Sequence, residues 1–316
     1  MVAKFGYFLS SEEFGPEELL RQATLAEEHG FEALWISDHF HPWNAEQGNS
    51  PFVWSVIGAI SAVTGLPIST AVTCPTVRIH PALIAQAAAT SARLTGGKFA
   101  LGVGTGEALN EHIVGHRWPP ADVRLEMLEE AVEVMRALWT GAVVEHHGKH
   151  YTVEHARLYT LPDSPPPVYV SGFGPKSARL AGRIGDGFAC TKPDPGLIRT
   201  FRDAGGAGKP TQAGTKVCWG NDAAAARKTA HRLWPVEALP GELAQVLPTP
   251  EHFEQASSLV SEDMMPTPVG NEVKTHVEAL RKFVDAGYDE VYVQQIGPEQ
   301  DGFFDFYAER VLPELR

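Results

Sequence analysis

ISTAVTCPTVRIHPALIAQAAATSARLTGGKFALGV, residues 68–103, carries the fold in miniature. Ile68–Thr73 is β-branched or small and reads as a buried strand. Pro81–Leu94 follows as a helix with proline in its first turn, and Phe99–Val103 returns to a short apolar strand that ends in a Gly-rich turn. A strand, a helix and a second strand in that order make a parallel βαβ unit.

The same alternation runs outward in both directions. Lys4–Leu9 reads as a strand and Pro16–Gly30 as a helix; Ala33–Ser37 and Phe52–Val63 repeat the pair. Beyond residue 103, Arg124–Trp139 is the clearest helix. Leu125, Leu128, Ala131, Val132, Met135 and Leu138 mark its apolar face, and Glu126, Glu129, Glu130 and Glu133 lie mostly off it. Strands at Val168–Ser171, Gly187–Thr191, Lys216–Trp219 and Glu290–Gln294, with helices at Lys176–Ile184, Ala223–Leu233 and Val273–Ala286, continue the series. Eight strands in βα rhythm, without a dinucleotide-binding fingerprint, predict an α/β fold: a closed (β/α)8 TIM barrel forming one domain over residues 1–316. Two segments break the rhythm. Residues 141–161 read as an inserted β-hairpin, and residues 235–268, rich in Pro and Ser, read as an insertion or lid over the catalytic mouth.

Composition narrows the function. The chain has 316 residues, 43% of them hydrophobic, enough for a core that excludes water from a site. The net charge of -13 and the lack of any Lys/Arg run argue against nucleic acid. Cys74, Cys190 and Cys218 stand alone, which argues against a disulfide framework or a zinc site. The N-terminus meets acidic residues at once rather than forming a signal peptide, and no apolar run spans a membrane. The expectation is a cytoplasmic protein that handles a small molecule.

Reactive groups of such a barrel sit where strands end at their carboxyl side. SDHFHPW, residues 37–43, places a carboxylate, two imidazoles and an indole there: His39 suits proton transfer near neutral pH, Asp38 can set its hydrogen bonding, and Trp43 can wall a ring. An ordinary polar loop with a buried Trp is the alternative. GVGTGEALNEH, residues 102–112, lets backbone approach a ligand closely and offers Glu107 and Asn110, but Glu107 stands where GxGxxG needs its third Gly. SGFGPKS, residues 171–177, forms either an anion nest at a helix start, with Lys176 adding charge, or a plain tight turn. EHHGKH, residues 145–150, looks metal-like but reads as an exposed hairpin turn, so no metal is expected. Asn44 to Ser50 reads as a mobile polar loop, and no GxSxG or HExxH motif appears.

SDHFHPW, GVGTGEALNEH and AGRIGDGF (residues 181–188), taken in this order, resemble the F420-dependent glucose-6-phosphate dehydrogenase group of luciferase-like oxidoreductases. The match runs from residue 5 to about 190, with a similar C-terminal helix. The resemblance implies a (β/α)8 barrel, usually a homodimer, that holds coenzyme F420 in its mouth and transfers a hydride between its deazaflavin and an alcohol, hemiacetal or sugar-phosphate carbon. By that resemblance Asp38 and Asn110 contact the cofactor. His39 exchanges the substrate hydroxyl proton, Trp43 stabilises the reacting centre and Glu107 serves the ring as an acid. Gly172, Phe173 and Gly174 lie near the cofactor phosphate, and Ala71–Val72 forms a non-prolyl cis peptide bulge behind the ring.

The chain also departs from the group. Cys74 replaces a cofactor-contacting Thr. Thr191 matches a sugar-phosphate contact and Lys192 follows it, but no further Lys comes near Asp194, Gln255 stands where a Lys is expected, and Asp263–Met264 replaces an Arg. A phosphate dianion needs positive partners, so a sugar phosphate requires charge from Lys192, Arg199 or Lys216. Two other readings stay open: an FMN-dependent monooxygenase of the same superfamily, and a barrel that binds a cofactor without turnover.

Overall fold

The computed structural model describes residues 3–316. In chain order its strands are β1 (Lys4–Leu9), β2 (Leu34–Ile36), β3 (Ile68–Thr70), β4 (Phe99–Val103), β5 (Val144–His147), β6 (Thr152–Ala156), β7 (Val168–Ser171), β8 (Gly187–Cys190), β9 (Thr211–Val217) and β10 (Glu290–Gln295). Among the described residues, β1, β2, β3, β4, β7, β8, β9 and β10 close in that order into a barrel, all pairs parallel, and β5 and β6 form a separate antiparallel hairpin. The expected (β/α)8 barrel and the hairpin inside residues 141–161 are both present.

Side-chain alternation explains how the lumen is filled. Trp35, Tyr169 and Tyr292 point inward, and Trp35 stacks on Tyr292 with centroids 4.6 Å apart. Glycines make room for them: a Cβ on Gly6, Gly187 or Gly214 would come within 2.5 Å of Tyr292, Tyr169 or Trp35 respectively. Register places Gly6 and Gly214 on either side of Tyr292, and Gly187 beside Tyr169. The buried polar atoms of this floor are satisfied, Trp35 Nε1 donating to Gln212 Oε1 at 3.0 Å and Tyr292 Oη to Glu290 Oε2 at 2.7 Å.

Several boundaries differ from expectation for identifiable reasons. β3 stops at Thr70 rather than Thr73; the Ala71–Val72 peptide that follows is cis, and Thr73 rejoins β4 as an isolated bridge to Val103. β9 runs Thr211–Val217 rather than Lys216–Trp219, since its lumen positions carry Gln212 and Gly214 and hide the apolar signal. The helix expected at Phe52–Val63 is Val53–Ile60, and the one expected from Arg124 begins at Ala121. Asn44–Ser50 is tied down instead of mobile: Asn44 Nδ2 and Gln47 Nε2 both donate to the Leu233 carbonyl, at 3.0 and 2.9 Å.

Residues 235–268 hold two 3-10 turns, Pro235–Ala238 and Glu262–Met264, and two short helices, Leu243–Val246 and Pro250–Ser257. Val236 and Phe253 from this segment join Leu109, Cys218, Leu233, Trp234 and Ile296 in an apolar cluster of their own, with Trp43 against it. Leu109, Cys218 and Ile296 follow β4, β9 and β10, so the segment packs on the carboxyl side of the barrel. The hairpin lies instead along the acidic face of helix Ala121–Trp139, where His146 meets Glu130 at 3.1 Å and Lys149 pairs with Glu126. Among the described residues, no group of three or more His, Cys, Asp and Glu is arranged to hold a metal, and no helix is long and apolar enough to cross a membrane.

Candidate active site

The site starts where β2 ends. Asp38 is buried and both its oxygens are engaged: Oδ2 accepts from Thr73 Oγ1 at 2.8 Å and Oδ1 from Arg78 Nη2 at 2.8 Å. Arg78 also holds Glu111, its backbone N–H donating to Oε2 at 2.6 Å. Burial pushes the Glu111 carboxyl up, opposed by Arg78. One guanidinium thus serves two buried carboxylates, and this cluster fixes the start of the loop that carries His39.

His39 lies between two partners. Its Nδ1 is 3.1 Å from Asn110 Nδ2 and its Nε2 is 3.4 Å from Glu12 Oε1. Asn110 Oδ1 is taken by the backbone N–H groups of Phe40 and His41, at 2.9 and 3.2 Å, so the amide NH2 faces the imidazole. Nδ1 is then the acceptor and the ring N–H sits on Nε2, toward Glu12. A second proton on Nδ1 has the His41 carbonyl available at 3.1 Å. Asn110 Nδ2 also approaches Glu107 Oε2 at 3.5 Å. The structure therefore joins Glu107, Asn110, His39 and Glu12 in one polar chain across the mouth. Trp43 closes one side, its ring 5.0 Å from that of His39 and nearly perpendicular to Phe253 at 5.1 Å.

The β3–β4 side offers a wall of backbone. A Cβ on Gly102 would lie 1.9 Å from the Thr70 carbonyl oxygen, one on Gly104 2.7 Å from Val72 Cγ2, and one on Gly106 2.5 Å from Cys74 Sγ. Gly106 also has a positive φ of 76°. Ala71 and Val72 form the cis peptide here, and Cys74, whose thiol burial pushes up, rests 2.9 Å from Thr76 Oγ1. A planar ring can lie against such a wall.

The third expected segment follows β7. Gly174 caps helix Pro175–Ile184, and a Cβ on Gly172 would collide with Ser177. Lys176 does not add charge to this loop; it pairs with Asp122 at 2.6 Å on the surface. Lys192, after β8, places its ammonium 5.6 Å from the Phe173 ring centroid, while Thr191 beside it is exposed. Lys216 is not a free cation either: it pairs with Glu237 at 2.8 Å and lies 4.2 Å over the Trp234 ring. Arg199, Gln255, Asp263 and Met264 are exposed.

Sequence reasoning missed Glu12, Glu13, Arg78 and Gln294. The signal for the first two was present, since Glu12-Glu13 follows β1 at the carboxyl side of the barrel. Glu13 receives Trp234 Nε1, Gln294 Nε2 at 2.9 Å and the Gly297 N–H at 2.8 Å. Burial, aided by Glu12 and opposed by these donors, pushes its carboxyl up to about 7.

The model of the luciferase-like monooxygenase family matches residues 2–290. The chain belongs to that family. Among curated relatives it is 37% identical to the F420-dependent glucose-6-phosphate dehydrogenase of Nakamurella multipartita, over 99% of this chain and 96% of that protein. It is 36% identical to the protein of the same description from Nocardia farcinica, over 99% and 98%. Among solved structures it resembles an F420-dependent secondary alcohol dehydrogenase in complex with an F420–acetone adduct, with TM-score 0.92, 30% identity and full coverage of both chains. The coenzyme F420-dependent tetrahydromethanopterin reductase of Methanopyrus kandleri, at TM-score 0.80 and 20% identity, covers 100% of both chains and shares the fold. The resemblance drawn from the three sequence motifs and the barrel expectation both hold.

Proposed function

We propose that this chain is an F420-dependent oxidoreductase that moves a hydride between the carbinol carbon of an alcohol or hemiacetal and the deazaflavin ring. The observation that carries this reading is the polar chain Glu107–Asn110–His39–Glu12 at the barrel mouth, beside a wall of glycine backbone. The relatives reported above, at 30–37% identity, are F420-dependent by description.

The residues fit the cofactor. Gly104 and Gly106 pack closely against Val72 and Cys74, and this segment of small side chains, with Ala71, would back the ring. The backbone of Gly172, Phe173 and Gly174, at the start of a ten-residue helix, offers N–H groups to the phosphate, and Lys192 above Phe173 supplies a cation on the same side. We therefore assign Lys192 to the cofactor tail rather than to the substrate. Asp38 and Asn110 hold the loop between ring and substrate.

When bound, the deazaflavin supplies the carbon that accepts or returns the hydride. His39 takes the hydroxyl proton at Nδ1, the nitrogen that otherwise accepts from Asn110, and the Glu12 carboxylate holds the resulting imidazolium through Nε2. Glu107 holds at its carboxyl the proton exchanged with the ring. Trp43 orients the reacting carbon, and residues 235–268 act as the lid that keeps water out. Three buried, unpaired cysteines support a cytoplasmic location, and the family resemblance supports a homodimer.

Titration with F420 and, separately, FMN, followed by intrinsic Trp fluorescence, tests the cofactor. Tight binding of F420 is expected; binding of FMN alone refutes the proposal in favour of the monooxygenase reading. F420 binding with no loss of its oxidised absorbance under any alcohol would instead support the barrel that binds without turnover.

A further inference from the structure

The wall of the mouth made by the ends of β9 and β10 is not used by the steps above. On β10, Glu290, Tyr292 and Gln294 share one face, and Tyr292 sits in the lumen against Trp35 and Gly6. Gln294 therefore points into the lumen one layer higher, at the mouth, in register with Lys216 of β9. It is 1% exposed. Glu13 Oε1 accepts from both Trp234 Nε1 and Gln294 Nε2, which fixes the orientation of the Gln294 amide. Its carbonyl Oε1 is left buried with no hydrogen-bond partner among the described residues. A buried acceptor without a donor costs about 1–3 kcal/mol, so a ligand that brings a donor gains by meeting it.

Charge on this wall indicates what kind of donor. Lys216 is neutralised by Glu237, whose other oxygen accepts from Thr267 Oγ1 at 3.1 Å. Arg78 is outnumbered by Asp38 and Glu111, whereas Arg124, off this wall, stacks on the Trp118 ring at 4.3 Å and donates to Gln245, its Nε left without a partner among the described residues. Glu12 adds negative charge beside His39, so on this wall a phosphate dianion meets a carboxylate and no unpaired cation. An ammonium finds no free carboxylate on this wall either: Glu12 is engaged by Ser10, Ser37 and His39, Glu13 by its three donors, and Glu237 by Lys216 and Thr267. The unmet group is a neutral carbonyl, and its match is a neutral hydroxyl.

We infer that the substrate is an uncharged polyhydroxylated alcohol or hemiacetal, one hydroxyl facing His39 and a second donating to Gln294 Oε1. This rests on the F420-dependent reading. The two recognition groups are held by consecutive residues, Glu12 holding His39 and Glu13 holding Gln294. In the reaction the carbinol C–H bond leaves as a hydride to F420, the hydroxyl proton goes to His39, and a C=O bond forms. Gln294 is a specificity residue that touches a part of the substrate that does not react.

The test compares F420 reduction by D-glucose, D-ribose and glycerol with reduction by glucose 6-phosphate and by propan-2-ol, after F420 binding has been measured by fluorescence. A kcat/KM at least about tenfold higher for one of the three polyols than for both other probes is expected. Gln294→Leu, and Gln294→Met as a variant of similar length, should lower kcat/KM at least about tenfold more for that polyol than for propan-2-ol, mainly through KM. Preference for glucose 6-phosphate or propan-2-ol overturns the inference, as does F420 binding with no polyol turnover, or equal losses on both alcohol types. Absence of F420 binding overturns the underlying cofactor reading, which separates the two failures.

Discussion

Replacing Glu12 by Gln removes the one negative charge placed against His39 Nε2 while keeping the side chain's shape. The side chains are 10% and 4% exposed and the contact is 3.4 Å, so the pair is screened little by water. A full imidazolium facing a carboxylate at that distance gains about 5 kcal/mol at an effective dielectric of 20. The transition state for proton transfer carries only part of that charge, and Gln retains a neutral hydrogen bond worth about 1 kcal/mol. The expected net loss is about 2–3 kcal/mol, a fall of roughly 30–150-fold in the rate of F420 reduction. Because Glu12 bonds to Ser10, Ser37 and His39 and not to the glycine wall or the Gly172–Gly174 loop, F420 affinity should stay within about twofold. Stopped-flow single turnover, monitoring the oxidised F420 absorbance with the best substrate of the panel, separates the two effects. A single-turnover rate within about threefold of wild type, or a parallel loss of F420 affinity, would show that Glu12 does not serve His39.

Three other outcomes follow from the geometry. Glu13 holds in the fold a proton that the unfolded chain releases near pH 4.5, because burial raises its carboxyl to about 7. Stability should therefore decline from about pH 4.5 upward and level off above about pH 7. Glu13→Gln should remove that slope, the variant gaining on wild type by on the order of 3 kcal/mol across the window, apart from a pH-independent offset; denaturant unfolding at several pH values checks it, and parallel curves would refute it. Arg78→Ala leaves Asp38 and Glu111 buried without their counter-charge, which should cost about 3–5 kcal/mol and lower the melting temperature by roughly 5–10 °C. Gly102→Ala would force a Cβ to 1.9 Å from the Thr70 carbonyl and should destabilise by at least about 3 kcal/mol, whereas Gly58→Ala, with its nearest atom 3.9 Å away on a helix, should be neutral or stabilising by up to about 1 kcal/mol; thermal unfolding of the two variants provides the comparison.

What the sequence reveals depends on how far apart the cooperating residues lie. Helices Ala223–Leu233 and Val273–Ala286 have the boundaries expected, because an amphipathic stripe, the Asp222 N-cap of the first and Gly287 after the second are local signals. His39, Glu107 and Asn110 were legible because each sits in a compact motif beside a strand end. Gln294 was not, since its role depends on Glu13, 281 residues away along the chain. Arg78 lay in a loop without a motif, and only the folded chain sets it against Asp38 and Glu111. Lys216 shows the opposite error: from the sequence it is a spare cation for a phosphate, and in the fold Glu237 and Trp234 consume it.

The lumen explains why a strand can serve stability and recognition at once. On β10, Tyr292 fills the floor, where Gly6 and Gly214 yield to it and no polar atom is left open. Two residues further along, the same face presents Gln294 to the mouth, its amide nitrogen tied to Glu13 and its carbonyl unmet. On β2 the order repeats, with Trp35 in the floor and the Ser37–His39 end in the mouth. The aromatic floor holds the strands at fixed height and register, and groups one layer above inherit their positions from it. The mouth above that floor carries the polar side chains of Glu12, His39 and Gln294, and of these the Gln294 carbonyl is the one left without a partner among the described residues.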